Sequence, residues 1–153
     1  MCKIFLLVLA LVVTINSMAQ SKPDTRTPSD RYQGAFTAAW LGCTLETKLA
    51  NLKEAKRQKR MEVDSSREDD LLGIDSCIKN GLDSMKVEYK NMLTIIAKTK
   101  GAEDALTNHF VSAVLTVRGI SYRAESDADF MQRLNENRKK TEELWIRFEI
   151  TQP

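Results

Sequence analysis

The sequence predicts an all-α fold: a four-helix bundle made of one long and one short antiparallel helical hairpin, stapled by one disulfide. Three observations carry that reading. Glycine and proline are scarce, six and three in 153 residues, while the better helix formers Ala, Leu, Lys, Glu and Arg are abundant. Apolar residues recur at steps of three and four rather than alternating as a half-buried strand requires. Helix-start patterns punctuate the chain at Thr27-Pro28-Ser29-Asp30, Ser66-Arg67-Glu68-Asp69 and Ser126-Asp127-Ala128-Asp129.

Residues 1–19 precede the bundle and read as a cleaved signal peptide. Lys3 is the positive n-region, Ile4 to Ile15 the apolar stretch, and Ser17-Met18-Ala19 places small residues at −3 and −1 before Gln20. A membrane anchor would need about 20 apolar residues for a hydrocarbon core of roughly 30 Å. This run is interrupted at Thr14 and Asn16, and no later run is long enough to span. Leu41-Gly42-Cys43 matches a fragment of a lipoprotein cleavage box but lies far from the apolar stretch. Residues 20–27 read as a flexible, polar N-terminal tail and 28–150 as the helical domain.

The first helix starts at Pro28, with Thr27 as cap and Asp30 completing a capping box. Tyr32, Phe36, Ala39, Trp40 and Cys43 fall at helical spacing, and Leu41, Leu45, Leu49 and Leu52 are expected to extend that apolar surface. From Lys53 to Asp70 the stripe fades. The second helix carries the most regular stripe, from Ile74 through Ile78, Leu82, Met85, Tyr89 and Met92 to Ile96. Lys98 and Lys100 suit its C-terminal end, and Gly101 is expected to break it. A third helix is expected from Ala102-Glu103-Asp104, through Leu106, Phe110, Ala113 and Val117, to a stop near Gly119. The fourth follows Ser126 with Phe130, Leu134, Leu144, Trp145 and Phe148, and Asn137 and Thr141 predict a less buried middle.

Loss of residues 1–19 removes Cys2 and leaves Cys43 and Cys77, an even pair outside the cytoplasm, which reads as one disulfide. A redox pair would usually stand close together, as in Cys-x-x-Cys. Bridged residues of an antiparallel hairpin lie about equally far from its turn, which puts the centre of this one at residue 60. If the first helix ran to Arg60 and the second began at Ser66, the two cysteines would be out of step by roughly 9 Å. A disulfide spans Cα atoms about 4.4–6.8 Å apart. The bridge therefore predicts that the first helix ends near Glu54 to Arg57, followed by a polar connection over about residues 56–65.

The predicted mature chain has a net charge of +1, since removal of Lys3 lowers the +2 of the whole chain. That balance, with export, argues against a nucleic-acid partner. Lys53, Lys56, Arg57, Lys59 and Arg60 form a basic cluster, facing acids at Asp64, Glu68, Asp69 and Asp70. The cluster is the candidate partner-binding site, although a solvated hairpin turn would look the same. His109 is the single histidine and has no second ligand at metal spacing, so neither a metal nor a cofactor is expected. No nucleophile elbow or phosphate-cradling glycine loop is present, and no catalytic residue is assigned. None of the asparagines of the mature chain begins a glycosylation sequon, which fits a bacterial periplasm better than a eukaryotic secretory route.

These readings converge on an exported, periplasmic helical protein that binds a protein of the cell envelope without catalysis, as an inhibitor, immunity-type or accessory factor. A structural component assembling through helix–helix oligomerisation is the alternative. An enzyme with a site assembled from scattered residues stands third.

Overall fold

The computed structural model describes residues 24–61, 66–96, 100–121 and 126–152. The predicted signal peptide, the first part of the predicted tail, Asp64 and Lys98 lie outside them. Four helices follow one another: α1 (Pro28–Arg60), α2 (Ser66–Ile95), α3 (Lys100–Arg118) and α4 (Asp127–Ile150), with no strand among the described residues. α1 packs lengthwise on α2 and α3 on α4, giving the long and short hairpins, and the two hairpins close on each other as a bundle.

Local chemistry sets the helix starts. Thr27 Oγ1 accepts from the Asp30 backbone N–H at 3.1 Å, while the Thr27 N–H donates to the Asp30 carboxylate at 3.2 Å, a complete capping box before Pro28. Ser126 Oγ likewise accepts from the Asp129 N–H at 3.1 Å. α2 begins at Ser66, and α3 ends at Arg118, immediately before Gly119.

Two buried clusters fill the bundle. Phe36, Trp40, Cys43, Met85, Val117 and Phe130 belong to the larger, and Tyr32, Met92, Ile96, Leu106 and Phe148 form the smaller at one end. Cys43 and Cys77 are bridged, with Cα atoms 5.6 Å apart. The register of the long hairpin agrees with the bridge throughout. Ala39 meets Gly81, Arg31 pairs with Glu88 and Lys53 with Asp70, each pair centred within two residues of position 60.

The expected early end of α1 is not what the structure shows. α1 runs to Arg60 and is capped by Met61 in the left-handed region (φ 54°), whose N–H points back to the Arg57 and Gln58 carbonyls. The bridge and the long helix coexist because the hairpin is offset. Ser66 stands opposite residue 54, so the last six residues of α1 project about 9 Å beyond the start of α2. The projecting turn is helical for local reasons. Its residues from Lys53 to Arg60 are strong helix formers, Glu54 accepts from Arg57 and Gln58, and the bases of the last turn suit the dipole.

Three more expectations change. α2 ends at Ile95, not at Gly101, and Gly101 lies in the first turn of α3, whose start is secured by fully buried Ala102 and Leu106. Thr141 is fully buried rather than marking an exposed middle of α4. Its hydroxyl lies 2.9 Å from both Ser112 Oγ and Thr116 Oγ1 and 3.1 Å from the Asn137 carbonyl, so the polar group is satisfied inside the bundle. Finally, Leu41, Leu45, Leu49 and Leu52 do not join the core. The buried face of α1 continues instead through Cys43, Thr44, Thr47 and Ala50 to Arg57.

Candidate partner-binding surface

The α1–α2 seam explains why small residues are inside and leucines outside. A Cβ added to Gly81 would lie 2.7 Å from Ala39 Cβ, so the two helices touch almost backbone to backbone there. Small residues of α1, Ala39, Cys43 and Ala50, lie buried along this seam, and the leucines stand on the outward side of the helix. Leu41, Leu45, Leu49 and Leu52 stand 51–60 % exposed in one row at steps of four, four and three. The other helices carry two or three exposed large apolar residues each, such as Leu72 and Val87 on α2 and Val111 and Leu115 on α3, and none carries a row of four.

The basic cluster divides by helical geometry. Arg57 turns inward and is buried, with Nη2 donating to the Asp70 carboxylate at 2.7 Å and Nη1 to Glu54 at 3.2 Å. Lys53 donates to Asp70 at 2.6 Å. The Lys53 ammonium, and then the Arg57 guanidinium, hold the Asp70 carboxyl below its ordinary range. Lys56, Lys59 and Arg60 are exposed on the projecting end of α1. Lys56 and Lys59 follow Leu52 by four and seven residues, which places them on the leucine face, and Lys48 lies between Leu45 and Leu52 on the same side. Neither Lys48, Lys56 nor Lys59 makes an ion pair with a described residue.

A groove runs beside this face along the α1–α2 seam. One segment of about 850 Å³ is floored by small residues including Gly34, Ala38, Gly73, Cys77 and Gly81. It shares Glu46 and Gly73 with a second segment of about 370 Å³ bordered by Leu49, Leu52, Lys56 and Asp69.

His109 lies in the interior, 1 % exposed, with Nδ1 2.8 Å from Tyr32 Oη. Phe36, Tyr32 and Trp145 present their rings to it at centroid distances of 6.1, 5.4 and 5.2 Å. Burial lowers its pKa to about 4 and raises that of Tyr32, so both are neutral near pH 7. The pair joins α1 to α3 and is closed to a substrate. Among the described residues no three His, Cys, Asp or Glu side chains converge as a metal site would require, and no helix is long and apolar enough to cross a membrane.

The leucine row is the element the sequence reading misplaced. The helical period could have separated it from the core, since it stands opposite Phe36, Cys43, Thr47 and Ala50. Comparison with protein-family models, with curated proteins and with solved structures finds no match.

Proposed function

We propose that this chain is exported to the periplasm, with residues 1–19 removed, and acts there by binding another protein without catalysis. The outward face of α1 is the binding surface. The observation that carries this reading is the continuous row of Leu41, Leu45, Leu49 and Leu52, half exposed or more and flanked by lysines. The Cys43–Cys77 bridge suits an oxidising compartment. The enclosed setting of His109 supports a role in packing rather than in proton transfer.

The test is a photo-crosslinking residue at Leu45, with a control at exposed Lys139 on α4, in tagged protein expressed with its leader. The expected result is a mature chain beginning at Gln20 and protein adducts from position 45 that are absent from position 139. Retention of residues 1–19, or equal adducts at both positions, would refute the reading.

A further inference from the structure

We propose that the partner segment is an acidic amphipathic helix lying antiparallel along α1, its apolar stripe on the leucine row and its acids against the lysines. This rests on the binding reading above and specifies the chemistry of the partner. The face is long enough for such a helix. From Gly34 through Ala38 and the four leucines to Lys59, steps of three and four keep one side of α1 outward for about 38 Å.

Charge decides the kind of partner. Between Gly34 and Arg60 the acids are Glu46 and Glu54. Glu46 turns to the seam, where its Oε1 would be 2.8 Å from a Cβ at Gly73, and Glu54 is bonded to Arg57. The leucine face itself therefore carries Lys48, Lys56 and Lys59 and no carboxylate. The groove beside it is lined by Glu46, Glu88 and Asp69 as well as Arg26 and Arg31. The partner's acids thus belong on the lysine side, and its groove-facing side chains are uncharged. A parallel second copy packed through α1 would set lysine against lysine, and an antiparallel copy would set Lys56 and Lys59 against the uncharged stretch from Gly34 to Ala38, so neither pairs those two lysines with acids. The face also lacks the aromatic residues that anchor interfacial helices, and a flat bilayer would leave the adjoining groove unfilled. A helix fills it, because uncharged side chains beside the apolar stripe can enter onto Ala38 and Cys77, between the Arg26 guanidinium over Gly34 and the Glu46 carboxylate over Gly73. Antiparallel placement puts the acidic first turn of the partner against Lys56 and Lys59, where those acids also complement the partner's own dipole.

The test uses the whole mature chain and a fluorescent synthetic amphipathic helix about 18 residues long, with leucines at i, i+3, i+4 and i+7, glutamates on the flank toward the lysines and uncharged residues on the other. A counterpart has glutamine for every glutamate. Anisotropy should show binding of the glutamate peptide that weakens about tenfold or more with the glutamine peptide, and that falls as salt rises from ~0.05 to ~0.5 M. Leu45→Glu with Leu49→Glu should abolish it while the helical circular dichroism is unchanged. Lys48→Glu, Lys56→Glu and Lys59→Glu together should weaken it about tenfold or more.

No binding of the glutamate peptide, or binding unaltered by the leucine changes, overturns the proposal. So does sedimentation of the unliganded protein as a dimer that the leucine changes dissolve. Tighter binding to phosphatidylglycerol vesicles than to the peptide overturns it in favour of a membrane. If position 45 crosslinks to a protein whose contacting segment is neutral or basic, the binding reading stands and this one fails.

Discussion

Tyr32 Oη and His109 Nδ1 lie 2.8 Å apart in the interior, joining the first turns of α1 to the middle of α3 with two neutral rings. The contact leaves no place for a charge, and its consequence is a pH-dependent stability.

Burial lowers the His109 pKa from 6.5 to about 4, so between those values the unfolded chain binds a proton that the folded chain refuses. Its contribution to stability is complete above the unfolded value and is lost as pH falls toward about 4, some 3 kcal/mol in all. Thermal melts from pH 7.5 to 4 should show this decline, and His109→Gln should flatten the part of it that lies between the two pKa values. An equally steep decline in the variant would show that other groups cause it.

The seam predicts opposite outcomes for two glycines. Gly81→Ala places a methyl group 2.7 Å from Ala39 Cβ and 3.3 Å from its Cα, so the helices must part, at a cost of about 1–3 kcal/mol less the gain in helix propensity. Gly42→Ala meets nothing within 4 Å in the middle of α1 and should stabilise by about 0.5–1 kcal/mol. Urea midpoints of the two variants should move in opposite directions.

Removal of the Cys43–Cys77 bridge, whose ends stand 34 positions apart, should cost ~3–4 kcal/mol by loop entropy. Cys43→Ser and the reduced wild-type chain should melt at similar, lowered temperatures with unchanged helix content. Equal melting temperatures for oxidised and reduced wild type would contradict a stabilising bridge.

Thr141→Val removes the hydroxyl shared by Ser112 and Thr116 and should cost about 1–3 kcal/mol, although the side-chain volume is kept. The Thr116→Val, Thr141→Val pair should lose less than the sum of the two single changes, because each removes a partner the other needs. Strict additivity in a double-mutant cycle would argue against the shared network.

Much of the candidate site was legible, though not its arrangement. The basic run was evident as residue types, but Arg57 and Lys53 lean toward Asp70 while Lys56 and Lys59 lean outward. That division follows from the helical turn per residue once α1 is known to continue to Arg60. The leucine row reads as core because burying leucine is the ordinary outcome; the helical period sets it opposite Phe36, Cys43 and Thr47 but does not say which of the two faces α2 covers.

The sequence by itself determined the number and type of the helices, the caps at Thr27 and Ser126, and the buried stripes of α2 and α3. These depend on hydrogen bonds and periodicities within a few residues of chain. The tertiary structure decided which side of α1 is buried, how far it overhangs α2, and that Thr141 and His109 belong to the interior. Those outcomes depend on partners far along the chain. Gly81 sets how closely α2 approaches Ala39, Thr116 satisfies Thr141, and Tyr32 occupies His109.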